Sequence, residues 1–282
     1  MKRKLAFLLM LCFGWSFFLN GCGGTLPKAD DRLQVVCTIF PEYDWARQLT
    51  QGVDNVDLTL LVKNGTDLHS YQPSVRDIAM IARADVFCYV GGVSDTWVND
   101  VLDTTENRTA QLVSMAEAAD ADEEVLAEGM QAEHEHDHHD DESDSHEEPP
   151  ELDEHVWLSL RRAALACTAM KEALCKADPA HEDIYNQNCT DYLQKLQELD
   201  SDFTEMTSQA ARDTIVVADR FPFRYLAEDY GLTYYAAFPG CSAETEASFE
   251  TIVFLSEKVE SLHLPCVLVI IPLNFLNNIL YT

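Results

Sequence analysis

The chain has 282 residues and a formal net charge of −30, from 49 acidic and 19 basic residues. No basic patch is available to neutralise phosphates, which excludes a nucleic-acid partner and suits a protein whose partner is a cation. Once an N-terminal leader is set aside, about 260 residues remain, enough for two domains of moderate size.

Residues 1–21 read as a signal peptide. Lys2, Arg3 and Lys4 form a positive start, and Leu5 to Leu19 is an apolar run too short for a comfortable membrane span. Leu19-Asn20-Gly21-Cys22 resembles the bacterial lipoprotein signal, in which the cysteine becomes the lipid-modified first residue. Cys22 is therefore expected to anchor the chain to the outer face of the bacterial cell membrane, with residues 22–32 as tether. An ordinary cleaved signal would still mean export. Of nine cysteines, Cys12 would leave with the signal and Cys22 would be lipidated. Cys37, Cys88, Cys167, Cys175, Cys189, Cys241 and Cys266 remain. No CxxC pair is present, so a thiolate zinc site has little support, and one or two disulfides are possible. Cys37 and Cys88 lie in apolar runs and read as small core residues.

In chain order, Leu33 to Phe40 is a β-branched apolar run, a buried strand. Pro41 opens a helix over Glu42 to Gln51. Val56 to Val62 is a second strand, followed by an Asn64-Gly65 turn. Ser74 caps a helix to Arg83. Ala84 to Val90 is a third strand, Ser94 to Leu102 a helix and Ala110 to Met115 a fourth strand. Strands alternating with helices imply βαβ units and a parallel sheet, so residues 33–118 form an N-terminal α/β lobe. Leu158 to Lys176 is a helix closing that lobe (155–181), broken at Asp178-Pro179. Glu182 to Ser208 is one helical pattern about 40 Å long, a rigid linking helix (182–209). The alternation then resumes over 210–282. Thr214 to Ala218 is a strand, Pro222 to Tyr230 a helix and Leu232 to Phe238 a strand. Glu246 to Leu262 is a helix and Cys266 to Ile271 a strand. Glu244 and Glu246 read as helix-entry residues. The fold class is α/β: two βα lobes with parallel sheets joined by a long rigid helix.

Between the lobes' sequences lies an acidic tract. Asp120 to Glu154 holds 17 Asp or Glu and no Lys or Arg, and includes His134, His136, His138, His139 and His146. Without a core-forming pattern, segment 119–154 is expected to be a disordered loop. Imidazole and carboxylate groups are the ligand set for Zn²⁺, so the tract reads as an accessory metal loop.

Two histidines lie in sharper motifs. Asn64-Gly65-Thr66-Asp67-Leu68-His69-Ser70-Tyr71-Gln72-Pro73-Ser74 puts His69 in the loop after the second strand. Asp153-Glu154-His155-Val156-Trp157-Leu158 puts His155 at the start of a helix. Open α/β sheets bind ligands on such loops beyond the strand ends. His181 and His263 lie outside any ligand motif and read as structural.

With these motifs the chain resembles the zinc-type substrate-binding lipoproteins of ABC metal importers. Thr38-Ile39-Phe40-Pro41, Ala84-Asp85-Val86-Phe87 and Tyr225-Leu226-Ala227-Glu228-Asp229-Tyr230-Gly231-Leu232 match as well, over roughly Leu33 to Val269. The resemblance implies a two-lobe receptor in which His69 and His155 ligate Zn²⁺, the transported ion. A third ligand is expected just after the Thr214 strand. Counted back from Tyr225, its position falls on Arg220, which is always protonated and cannot ligate a cation. Asp219 is the nearest candidate. A fourth, acidic ligand near the end of the second lobe has no counterpart, and the sequence after about Ile270 departs from the family, which reads as a C-terminal truncation leaving the second lobe incomplete.

The expected function is extracytoplasmic capture of Zn²⁺ and its delivery to an ABC permease in the membrane, by a lipid-anchored monomer. A manganese receptor of the same family is the runner-up, since Asp219 adds a hard ligand. A passive His-rich metal buffer or adhesin, using only the loop, is another class. A zinc hydrolase lacks its motifs, there being no HExxH and no GxSxG, so no enzymatic activity is expected.

Overall fold

The computed structural model describes residues 32–63, 66–105, 109–130, 151–242 and 246–270. The signal peptide, Cys22 and most of its tether, the five loop histidines, the Asn64-Gly65 turn, Glu244 and the tail after Ile270 lie outside the described residues.

Four parallel strands form the first sheet in the order β2-β1-β3-β4: β1 (Leu33–Cys37), β2 (Val56–Leu60), β3 (Val86–Tyr89) and β4 (Gln111–Ser114). Its register pairs Val35 with Leu58 and Val86, and Cys37 with Cys88. The central strands are buried on both faces, which is why they read as unbroken apolar runs. Val35, Cys37, Val86 and Cys88 are wholly buried. All seven cysteines of the described residues are free thiols.

The helices begin where their caps dictate. α1 (Phe40–Leu49) carries Pro41 in its first turn, and Glu42 folds back so that Oε2 accepts the N–H groups of Thr38 and Ile39 at 2.7 and 3.2 Å. Ser74 caps α2 (Val75–Ile81) by a capping box with Asp77. α3 (Trp97–Thr104) follows a short 3-10 turn, and α4 (Met115–Ala118) is a single turn after β4. Ser159 caps α5 (Leu160–Ala177) by accepting the Arg162 N–H at 3.1 Å. Asp178-Pro179 ends that helix, and His181 Nδ1 lies 2.7 Å from Asp178 Oδ2, a local structural role.

α6 (Glu182–Ser208) is the long helix expected from its apolar spacing, 27 residues without a break. Its N-terminal half buries Tyr185, Cys189 and Leu196 in the first core with Met170 and Leu174. Its far end reaches the second sheet's helix, where Phe203 stacks on Tyr230 at 5.2 Å and Asp200 accepts the Tyr230 hydroxyl at 3.0 Å. A helix held at both ends in this way resists bending better than a loop hinge.

The second sheet pairs β5 (Thr214–Phe221) and β6 (Thr233–Pro239) in parallel, followed by α8 (Phe249–Ser261), with α7 (Arg224–Asp229) between the strands. The register shifts between Val217 and Arg220, a bulge that sets Ala218 and Asp219 out of the ladder. The strand expected over Cys266 to Ile271 is reduced, among the described residues, to one parallel bridge from Leu268 to Val217. Glu246 lies ahead of α8 and is exposed, because Ser248 supplies the cap.

The acidic segment is ordered at both ends. Glu123 and Leu152 form an antiparallel bridge, and the Asp153 N–H donates to Asp122 O at 2.9 Å. Tyr225, fully buried, accepts the Asp122 N–H at 3.0 Å and donates to Asp153 O at 2.7 Å, with the Arg162 guanidinium 4.2 Å over its ring. These bonds fix the backbone that leads into His155.

Candidate metal centre

His69 and His155, 86 residues apart in sequence, meet. His69 lies in a 3-10 turn, Leu68–Ser70, capped by Asp67, whose Oδ1 accepts the His69 N–H at 3.1 Å. His155 heads the 3-10 turn Val156–Leu158 that runs into α5. The ring centroids are 5.6 Å apart and the planes 49° from parallel. His155 is buried, and Trp157 packs on it at 5.2 Å.

Each ring is held at Nδ1. His69 Nδ1 lies 2.8 Å from Ser94 Oγ and 3.3 Å from Glu154 Oε1. The Ser94 hydroxyl donates to Glu154, so its oxygen is free to accept a proton from His69. His155 Nδ1 lies 2.9 Å from Asp153 Oδ1, which also accepts the His155 backbone N–H at 3.1 Å. Carboxylates at Nδ1 place the proton there and leave the Nε2 lone pair as the ligand atom, the usual second layer around a histidine-bound metal.

Glu154 is wholly buried. Burial pushes its carboxyl up, but hydrogen bonds with His69 and from the Ser94 hydroxyl and N–H outweigh that and hold it below the usual carboxylate range. It therefore remains an anion beneath the imidazole. Gly92 makes room for it, since a Cβ there would lie 2.3 Å from Glu154 Oε2. Two further buried acids follow. Burial pushes Asp95 up to about 6 against hydrogen bonds from the Val90 and Gly91 N–H groups, and burial with the nearby Asp95 pushes Glu42 up to about 8.

Asp219 does not join the imidazoles in a ligand group. Its Oδ1 accepts the Arg220 N–H at 2.8 Å and its Oδ2 the Ile270 N–H at 3.3 Å, because the β5 bulge turns it toward backbone donors. The Arg220 guanidinium instead lies 3.8 Å from Asp67 Oδ2 and 3.4 Å from Ser242 O. Among the described residues, one group of three or more His, Cys, Asp or Glu has its ligand atoms within 4.8 Å of one another: Asp153, His155 and Cys241. Cys241 Sγ is 4.0 Å from His155 Nδ1, and burial, with Glu154 and Glu124 nearby, pushes its thiol well up.

Sequence reasoning marked both histidines but gave no role to Ser94, Asp153, Glu154 or Cys241. The two acids directly before His155 were the available signal, since short spacing lets them reach its backbone and its neighbour. Nothing local marks Ser94 or Cys241.

Parallel βα sheets, a long helix bridging them and a carboxylate-braced imidazole pair on their loops define a two-lobe metal-receptor class. The family model described as "Zinc-uptake complex component A periplasmic", ZnuA, matches residues 35–271, and the chain belongs to that family. It is 34% identical over 260 residues to the zinc-binding lipoprotein AdcA of Streptococcus pneumoniae strain R6, covering 92% of this chain and 48% of that protein. It is 30% identical over 231 residues to the high-affinity zinc uptake system protein ZnuA of Bacillus subtilis, covering 80% of this chain and 68% of that one. The chain thus spans about half the length of the AdcA relatives. In three dimensions it is similar to the Zn(II)-bound ZnuA-like domain of Streptococcus pneumoniae AdcA. The TM-score is 0.62 at 30% identity, covering 82% of this chain and 76% of that one. No helix among the described residues is long and apolar enough to cross a membrane.

Proposed function

We propose that this chain is an extracytoplasmic receptor that binds Zn²⁺ tightly and hands it to an ABC permease. The carrying observation is the pair of imidazoles 5.6 Å apart, each engaged at Nδ1, which leaves Nε2 as the nitrogen that can bind an ion. Neutral imidazole nitrogens suit Zn²⁺ better than Mn²⁺, which prefers oxygen. In this reading the first lobe, residues 33–118, and the helix at 155–181 carry both histidines. The linking helix, residues 182–209, joins them to the second lobe, residues 210–282. His134, His136, His138, His139 and His146 collect cations and raise their local concentration. Cys22 holds the protein at the membrane, within reach of the permease. The zinc named in the relatives supports the choice of ion.

Metal analysis of the mature chain, with and without residues 133–148, tests this. One tightly held zinc per chain is expected to survive removal of the loop. Loss of all tight zinc with the loop would leave a passive buffer, and displacement of zinc by equimolar manganese would leave a manganese receptor.

Glu154→Gln should weaken that zinc without emptying the fold. An amide has one accepting oxygen and an NH2 that only donates, so the donors now shared between Oε1 and Oε2, from Ser94 and His69, lose a partner. Zinc affinity is expected to fall about 10–100-fold, the usual cost of an outer carboxylate partner. The apo protein should lose roughly 1–3 kcal/mol in urea unfolding, as a buried donor goes unpaired. An unchanged affinity would show that Glu154 does not orient the ring.

A further inference from the structure

Asp153 fixes His155, since its Oδ1 takes both the backbone N–H and the Nδ1 of that histidine. What fixes Asp153 comes from the second sheet. α7, the helix between β5 and β6, reaches this turn with several side chains. The Tyr225 hydroxyl donates to Asp153 O at 2.7 Å. Arg224 Nη1 lies 3.9 Å from Asp153 Oδ2, the carboxylate oxygen that His155 does not use. Asp229, one helical turn beyond Tyr225, accepts the Ser159 hydroxyl at 2.6 Å, and Ser159 caps the helix that follows the His155 turn. The turn is thus held on both sides, at residues 153 and 159, by one short helix of the other sheet.

We propose that Tyr225 is a positioning residue for zinc: its hydroxyl sets Asp153, and through Asp153 the ring of His155, so that the second sheet controls how well this imidazole meets the ion. The inference rests on the zinc reading above. A carboxylate that orients a ligating ring must itself be held, or the ring turns with it. Tyr225 is 1% exposed, and burial pushes its hydroxyl up to about 12, so it keeps its proton and can donate. The same oxygen accepts the Asp122 N–H at 3.0 Å, while the Asp153 N–H donates to Asp122 O at 2.9 Å. These bonds close a small ring that leaves the Asp153 backbone little freedom. The Tyr225 ring is fixed in turn by two guanidiniums, Arg162 at 4.2 Å and Arg224 at 5.4 Å from its centroid.

Tyr225→Phe keeps the ring and its packing and removes only the hydroxyl. In the mature full-length chain, its zinc affinity by chelator competition should fall about tenfold, the lower end for outer partners because Tyr225 acts one residue further from the ion. Co²⁺ loaded in place of zinc should show altered visible bands, since the ligand field follows the ring. Tyr185→Phe is the control: Tyr185 is also fully buried, but its hydroxyl donates to Asp178 at 2.8 Å instead. That variant should leave both readouts unchanged. The Tyr225→Phe loss should also vanish in an Asp153→Ala background, where no carboxylate remains to be positioned. Unchanged zinc affinity in Tyr225→Phe overturns the proposal. So does an equal loss in Tyr185→Phe, which would mark a general softening of the fold. A loss that adds fully to that of Asp153→Ala overturns it as well, by routing the effect past Asp153. If Asp153→Ala does not fold, the two tyrosine variants decide. In each of these outcomes the receptor reading stands. A wild type that holds no tight zinc overturns both.

Discussion

With His69 and His155 both replaced by alanine, zinc affinity is expected to fall by at least about a thousandfold. The magnitude follows from the energy of ligation. Structural zinc sites of four ligands bind with apparent free energies of about 10–16 kcal/mol, or roughly 3 kcal/mol per ligand. Two ligands then carry about 6 kcal/mol, more than four decades in affinity, some of which water returns by taking the vacated positions. Either single variant should lose about a hundredfold, and the double variant less than the product, because one remaining imidazole no longer defines a site. The measurement is chelator competition on chains lacking residues 133–148, so that the loop histidines do not mask the loss. His155 is 4% exposed and packs on Trp157, so its removal also opens a cavity. Apo melting curves separate that cost from the ligand effect, and His69, 21% exposed in its side chain, provides the cleaner single variant. Unchanged affinity in the double variant would remove the imidazole pair as the binding site.

How far this site was visible in the sequence depends on the range of the interactions that build it. The strand runs, the proline entering α1, the serine caps and the unbroken pattern from Glu182 to Ser208 are local, and the fold follows from them. His69 and His155 stood in motifs, His69 in the loop after β2 and His155 beyond β4, strands that lie at opposite edges of the sheet. Asp219 was a harder case. A register shift between Val217 and Arg220 depends on the partner strand, so periodicity along β5 alone gives no sign that Asp219 turns toward the backbone of Ile270. Asp153 and Glu154 looked like the tail of a solvated acidic tract. They are 2% and 0% exposed, because donors from Ser94 and from the turn at His155 compensate their burial. Ser94 lies 60 residues before Glu154, and no spacing rule connects them.

Glu42→Gln is expected to abolish most of a loss of stability that the wild type suffers between pH 5 and pH 9. The Glu42 carboxyl is wholly buried, and burial, then repulsion from Asp95, push it up to about 8 despite hydrogen bonds from Ile39 and Thr38. In the unfolded chain it titrates near 4.3, the ordinary value for glutamate. The sign follows from proton counting. Below about pH 4 both states are protonated and the group contributes no slope. Between about pH 4.3 and 8 the folded state keeps a proton that the unfolded state releases, so stability falls by about 1.4 kcal/mol per pH unit. Above the folded value both states are ionised, and the loss levels off at roughly 3–5 kcal/mol. Asp95, pushed up to about 6, adds a smaller loss of the same sign at lower pH. Glutamine is neutral at every pH. Its carbonyl can keep the Thr38 and Ile39 N–H bonds now made at 2.7 and 3.2 Å, so its own cost should be flat with pH, at about 1 kcal/mol. The variant should therefore be slightly less stable than wild type at pH 4 and more stable at pH 9, the two urea-unfolding curves crossing near about pH 5. Parallel pH profiles would show that Glu42 is already ionised in the folded protein. The crossing matters beyond α1, because the Asp95 that raises Glu42 follows directly on Ser94, the residue that braces Glu154 beneath His69. A protonated Glu42 keeps one negative charge out of the cluster under the metal centre, and the glutamine variant fixes that state permanently.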